Sequence, residues 1–225
     1  SKRIVGLTGA GISTDSGIPA FRTSEGELEA VWEKNDPVVA TLSAFMADPD
    51  LQRRFWELHR WLEKLLAKAE PNPSHRLFTE LDRTGKLLAL LTQNIDGLHS
   101  GVRNLIELHG SASRAKCTKC NVLVPCMSLA SEGVPVCHSC GAPMRPDTVM
   151  FGESLDRHLF SRALESVRSC DLLLVMGTSL KVEPVNNLPL EAVRAGAKVA
   201  IINLSPTPFD QLCTIRVRMP CSKAS

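Results

Sequence analysis

The sequence has no large excess of charge of either sign: 26 Lys and Arg stand against 24 Asp and Glu, a formal net charge of +2. A basic face that holds nucleic acid tightly and without sequence preference is therefore not expected. Aromatic residues make up only 4% of the chain, tyrosine is absent, and the cysteine-rich stretch 112–147 offers no ring on which a base could stack. No run reaches the ~18 uninterrupted apolar residues of a membrane span, and the first residues lack the basic, apolar and small-residue regions of a signal peptide. These absences predict an intracellular, cytoplasmic protein with no membrane partner. Internal repeats and low-complexity tracts are also missing. The first apolar run, Ile4-Val5-Gly6-Leu7-Thr8, leads into GAGISTDSGIPAFR at residues 9–22, which has glycines but not the G-x-G-x-x-G spacing of dehydrogenases.

What is present is an alternation. Runs that are apolar throughout, IVGLT, LLALLT, LLLVM and VAII, each end in a polar or glycine-containing turn, as parallel strands covered on both faces do. Amphipathic helices are expected between them. Residues 51–66 place Leu51, Phe55, Leu58, Leu62 and Leu65 at spacings of three and four. A second helix runs from an N-cap at Ser74 to Arg83, with Gly85 as its stop; a third carries Leu155, Leu159, Ala163 and Val167; a fourth spans Leu190 to Ala195 and ends at Gly196. The fold class is α/β, a Rossmann-like doubly wound parallel sheet, with an inserted small zinc-ribbon module. The chain, of 225 residues, has room for one large domain and a small one. We assign 1–111 and 148–225 to the large domain and 112–147 to the module, with 23–73 as a helical insertion contributing to the small domain. Pro71, Pro73, Pro143 and Pro146 read as joints.

The module is defined by Cys117-Thr-Lys-Cys120 and Cys137-His-Ser-Cys140, two C-x-x-C pairs with sixteen residues between them. Each pair can turn two thiolates to one point, and four thiolates satisfy tetrahedral Zn²⁺ with no open position. One structural ion is expected. A redox dithiol fits less well, because it sits at a helix start and occurs once. Cys126 and His138 lie outside the paired spacing and read as a buried small residue and a loop residue.

In an open α/β sheet, ligands bind beyond the carboxyl ends of the strands. Here those ends carry Gly9-Ala10-Gly11, Gln93-Asn94-Ile95-Asp96, Gly177-Thr178-Ser179 and Asn203-Leu204-Ser205. The glycines would let the backbone approach a pyrophosphate, the following helix start would offer N–H groups, and the hydroxyls and amides could bond phosphate and ribose. Asn94, Asp96, His99 and His109 are the titratable or amide groups nearest this edge, whereas His59, His75 and His158 read as structural helix residues. His109, expected at the end of a short strand beginning Leu105-Ile106, could accept a hydroxyl proton near neutral pH.

The order GAGIS, SGIP, FR, TQNIDGLH, IELHG, two C-x-x-C pairs, RPDTVMFGE, MGTSL and IINLSPTP resembles the sirtuins, NAD-dependent protein-lysine deacylases, over nearly the whole chain. The resemblance implies that NAD is the cofactor and that the partner is an acyl-lysine side chain on a protein or peptide. Its amide oxygen attacks the nicotinamide ribose carbon, nicotinamide leaves and an alkylimidate forms; His109 then acts as base, and free lysine and O-acyl-ADP-ribose result. His109 and Asn94 are the catalytic candidates. The cofactor would be met by Gly9, Ala10, Gly11, Thr14, Phe21 and Arg22 in the first turn and lid, and by Gln93, Asn94, Ile95 and Asp96 around ribose and nicotinamide. Gly177, Thr178, Ser179, Asn203 and Leu204 would meet the adenosine half, with Cys221 near adenine. The substrate would be clamped as an added strand between Val149, Phe151, Gly152 and Glu153 on one edge and Leu180 and Val182 on the other.

The chain also departs from the family. Position 20 is Ala where the family usually carries Asp, and the loop between His99 and His109 is a couple of residues short. Trp56 and His59 stand where desuccinylating members place a Tyr and an Arg, so neutral acyl groups, acetyl first, are the expected substrates rather than acidic ones. Two other readings stay open at this point: a mono-ADP-ribosyltransferase using the same NAD site, and an inactive NAD- or zinc-dependent interaction module.

Overall fold

The structure, a computed structural model, describes residues 1–20, 37–129 and 132–224. Six strands, β1 (Ile4–Thr8), β2 (Leu87–Thr92), β3 (Leu105–Glu107), β7 (Leu172–Met176), β8 (Lys198–Ile202) and β9 (Ile215–Val217), form one sheet in the order β3-β2-β1-β7-β8-β9. All its pairings are parallel. This is the 3-2-1-4-5-6 order of dinucleotide-binding folds. The central β1 is buried along its whole length, while both edge strands are only three residues long. Short edges limit unwanted pairing with other chains.

The α-helices of the described residues are α1 (Leu42–Ala47), α2 (Pro49–Leu66), α3 (Pro73–Arg83), α4 (Arg157–Ser169) and α5 (Leu188–Arg194). Because alternate strand residues face opposite ways, Val5 and Leu7 pack with Ala163 and Val167 of α4 and Ala192 of α5, whereas Ile4 packs with Phe78 of α3. Gly6 leaves the space that Phe78 fills, since a Cβ there would lie 2.4 Å from its ring. Among the described residues no helix is long and apolar enough to cross a membrane.

Two helix details differ from expectation. The cap of α3 is Asn72, not Ser74: its side chain accepts from Ser74 N, His75 reaches back to the Asn72 N–H, and Pro73 takes the first helical position, where its missing N–H costs nothing. On α2 the buried face is Phe55, Trp56, His59 and Leu62, with Leu51, Leu58 and Leu65 only half-buried. That face is rotated because α2 packs on a second sheet.

This sheet is antiparallel, in the order β5-β4-β6, with β4 Gly110–Cys117, β5 Leu123–Pro125 and β6 Met144–Thr148. Trp56 Nε1 donates to the Met144 carbonyl at 2.9 Å, fixing α2 against β6. Pro146 lies within edge strand β6 beside a register shift, so it is a strand residue and not a joint; an edge at an irregularity is where a sheet tolerates proline.

Candidate functional site

The chain leaves β1 for β2 and β3 on one side of the sheet and places β7 to β9 on the other, so β1 and β7 flank the topological switch point. Ligands of such sheets bind in the crevice there. The two tips interlock: Gly11 N donates to the Gly177 carbonyl at 2.8 Å, and Gly9 N to that of Met176 at 3.2 Å. Gly177 has φ +64°, and a Cβ on it would sit 2.2 Å from Ile12 N; a Cβ on Gly9 would sit 2.7 Å from Thr178 Cβ. These glycines are thus required by the approach of one turn to the other. The expected helix start after β1 is instead a pair of short 3₁₀ turns, Ala10–Ile12 and Thr14–Ser16, whose Ile12 and Ser13 N–H groups are taken by Gly9 and Ala10 carbonyls. Thr14 is exposed at the rim.

The end of β2 is held to β1 and to the turn that follows β7. Gln93 N donates to the Thr8 carbonyl at 2.9 Å and its Nε2 to Thr178 Oγ1 at 2.9 Å. Buried Ser13 forms a hub. Its Oγ donates to Asp96 Oδ2 at 2.8 Å, accepts from Asn94 Nδ2 at 3.1 Å, and lies 3.3 Å from His75 Nε2. Since His75 Nδ1 accepts from Asn72 N, Nε2 carries the ring proton and donates to Ser13. The hydroxyl's one hydrogen and two lone pairs are then all used. Below it, Thr8 Oγ1 donates to Thr92 Oγ1 at 2.9 Å and takes its second bond from His99 Nε2 at 3.2 Å. This leaves His99 Nδ1 as a buried acceptor with no partner among the described residues. Burial pushes the pKa of His99 down to about 3 and lowers that of His75.

His109 lies in the turn between β3 and β4 and not at the end of β3, because Gly110 opens β4 with φ +79° directly against the Asp147 carbonyl of β6. Its Nδ1 is 2.9 Å from the Gln93 carbonyl oxygen. A carbonyl can only accept, so Nδ1 carries the proton and Nε2 keeps its lone pair. Burial lowers the pKa of His109, and the bond to Gln93 partly opposes this. A neutral ring at pH 7 follows.

Val149 N donates to the His109 carbonyl at 3.0 Å, which starts the segment 149–153 beside the histidine. The Phe151 backbone pairs with Ala40 and Leu42 while its side chain is exposed. Gly152 follows at φ +81°. The Glu153 carboxylate bonds Arg145 and Met150 N, so it holds this turn. Leu180 is buried with φ +52°, and Val182 is exposed. Ile95 O accepts from Ala112 N at 2.9 Å, tying the β2 tip to β4. At the far edge Asn203 Nδ2 donates to the Ser205 carbonyl, Leu204 is exposed, and buried Cys221 faces the Ile202 carbonyl at 3.6 Å. Ser179 and Ala10 are half-buried. Phe21 and Arg22 lie outside the described residues.

No motif in the sequence marks Ser13, Thr8 or Thr92 as site residues, and His75 carries only the signature of a structural helix residue. Ser13 does close the GAGIS motif, which is the one local signal for it.

In the small sheet Cys117, Cys120, Cys137 and Cys140 bring their sulfurs within 4.8 Å of one another, with Cys117–Cys140 at 3.4 Å and Cys120–Cys137 at 3.6 Å. The Cys120 N–H, and then that of Lys119, are directed at Cys117 Sγ and hold its pKa down to about 6. Four thiols with thiolate-stabilising amides fit one tetrahedral Zn²⁺, whose ~2.3 Å bonds separate sulfurs by about 3.8 Å. His138 is exposed and Cys126 is buried outside this group.

Residues 9–184 match the sequence profile of the Sir2 family. An NAD-dependent protein deacylase of Aeropyrum pernix is 42% identical over 223 residues, covering 97% of this chain and 88% of its own length. A Sir2 homologue mutant solved with ADP-ribose superimposes with a TM-score of 0.89 at 36% identity, over 100% of this chain and 89% of that one. A Sir2 variant solved with deacetylated p53 peptide and 3'-O-acetyl-ADP-ribose gives 0.85 at 35% identity, over 100% and 91%.

Proposed function

Given that this chain belongs to the Sir2 family, we propose that it removes acyl groups, acetyl foremost, from protein lysine side chains at the expense of NAD, releasing nicotinamide and O-acyl-ADP-ribose. NAD supplies an electrophilic ribose carbon with nicotinamide as its leaving group. The observation that carries the reading is the His109 to Gln93 bond. It leaves a neutral Nε2 beside the switch-point crevice, where His109 takes a hydroxyl proton as general base.

The other residues bind and orient. The interlocked turns at Gly9, Gly11 and Gly177 give a rigid floor on which the Ser13 hub fixes Asn94 and Asp96, and Gln93 fixes Thr178. Gln93, Asn94, Ile95 and Asp96 serve the nicotinamide and ribose half, Thr178, Ser179, Asn203, Leu204 and Cys221 the adenosine half, and Ala10 and Thr14 the turn that covers the cofactor. His99 Nδ1, buried without a partner among the described residues, suits a site in which a further polar group or water arrives with the cofactor. The acyl-lysine strand lies between 149–153 and 179–183 and is read mainly by its main chain. The four cysteines hold one structural Zn²⁺, leaving no coordination position for chemistry.

Mass spectrometry of NAD reactions with acetylated and unacetylated peptide tests this. O-acyl-ADP-ribose should form only with the acetylated peptide; nicotinamide release without it, with ADP-ribose transferred to protein, would establish the transferase reading instead.

A further inference from the structure

Away from the strand tips, α2 and the small sheet meet at a second group of metal-binding side chains. His59 and Glu63 are one turn apart on α2 and so face the same way, and Cys126 opens the short 3₁₀ turn after β5. His59 Nε2 lies 3.6 Å from Cys126 Sγ and 3.7 Å from Glu63 Oε1. All three donor atoms fall within 4.8 Å of one another, and none is shared with the four-cysteine group. We propose that His59, Glu63 and Cys126 bind a second transition-metal ion, with Zn²⁺ the best match and a water as fourth ligand.

Imidazole, carboxylate and thiolate are the donors Zn²⁺ prefers, and a tetrahedral ion with bonds of ~2.0 Å to nitrogen and ~2.3 Å to sulfur separates those atoms by about 3.5 Å. The 3.6 Å contact matches. His59 and Cys126 are buried, while the Glu63 side chain is 37% exposed and leaves a route for ion and water. Burial drives the His59 pKa down to about 4, against an opposing backbone hydrogen bond to Ala112, so the ring is a neutral ligand at pH 7. Burial also raises the Glu63 pKa and pushes that of Cys126 up to about 12. The Glu63 carboxylate and the buried Cys126 thiol meet at the opening of this corner, and a divalent cation would bind there by displacing the thiol proton to solvent. The Arg60 charge offsets the burial of Glu63 only in part, and its guanidinium bonds the Gly133 carbonyl and lies over the Trp56 ring. The ion would bolt α2 to the small sheet independently of the four-cysteine site. A bare thiol to imidazole hydrogen bond would account for the same contact without metal, and the two readings differ in stoichiometry.

The test uses the zinc-loaded full chain, desalted, with metal counted per chain and then titrated with Co²⁺. The wild type should hold one equivalent more than Cys126→Ala, as zinc or as added cobalt, and cobalt should produce a sulfur charge-transfer band that Cys126→Ala lacks. Glu63→Gln, at a half-exposed position that keeps the fold, should weaken this cobalt site at least tenfold. Equal metal content in wild type and Cys126→Ala, or unchanged cobalt affinity in Glu63→Gln, overturns the proposal.

Discussion

The ring of His109 is tied to the Gln93 backbone by a 2.9 Å hydrogen bond from Nδ1 to the carbonyl oxygen. The main chain of β2's tip therefore sets both the orientation and the tautomer of the proposed base. His109→Ala is expected to abolish NAD-dependent deacylation, a loss of at least 10²-fold for a general base, while circular dichroism and melting temperature stay near wild type. In the pH profile of kcat/KM the acid limb should lie below the ordinary histidine value of about 6.5, because burial lowers the pKa and the neutral form is the active one. An acid limb above that value contradicts the assignment.

His99 governs a stability effect. Its pKa is about 3 in the folded chain and about 6.5 unfolded. Between those values the unfolded chain binds a proton that the native state refuses, so stability falls as pH drops through this window. The full effect is on the order of several kcal/mol. Urea unfolding of His99→Gln should show a shallower decline from pH 7 to pH 4.5 than the wild type; parallel curves would remove His99 as the cause.

Gly177 and Gly85 have similar φ values, +64° and +69°, but a Cβ on Gly177 would strike Ile12 N at 2.2 Å whereas nothing lies within 4 Å of one on Gly85. Gly85→Ala should cost only the left-handed backbone penalty, ~1–2 kcal/mol. Gly177→Ala must also prise apart the β1 and β7 turns, so a loss of about 3 kcal/mol or more and weakened NAD binding are expected. Denaturant midpoints and NAD titration of the two variants decide it, and equal effects would refute the interlocking account.

The sheet was legible because its four long strands are apolar throughout, a pattern little else produces, and the cysteine spacing announced its cluster for the same reason. Edge strand β9 and strand β5 went unread: Ile215–Val217 and Leu123–Pro125 are too short to show any period. The Asn72 cap was missed in favour of Ser74 because both residue types cap helices, and only the Pro73 between them separates the cases. Ser13 was invisible as a hub because its partners His75, Asn94 and Asp96 are 62 to 83 residues away. The sequence pattern of the first turn suggests backbone clearance for a phosphate and gives no sign that Gly9 and Gly11 also make room for the turn after β7. Only tertiary contact shows the second role.

Cys137→Ala removes one of four zinc ligands. Since structural zinc contributes folding energy directly, this variant should lose its metal from the four-cysteine site and several kcal/mol of stability. Chelator treatment of the wild type should lower the melting temperature in the same direction. Retained metal and an unchanged melting temperature in Cys137→Ala would count against a structural ion there.

Ser13→Ala separates a packing role for the hub from a role in the reaction. Removing the hydroxyl strands Asn94 Nδ2, the His75 Nε2 proton and Asp96 Oδ2 at once, and each leftover buried group costs ~1–3 kcal/mol unless water replaces the lost partner. Water can enter at Asp96, which is half-buried, but not easily at His75, which is buried, so a net loss of about 2 kcal/mol is expected. If the hub served packing alone, turnover of the folded fraction would be unchanged. If it orients Asn94 and Asp96 toward the nicotinamide end of the crevice, turnover and nicotinamide inhibition should both fall at least tenfold while the KM for acetylated peptide holds, because the peptide edges at 149–153 and 179–183 share no bond with Ser13.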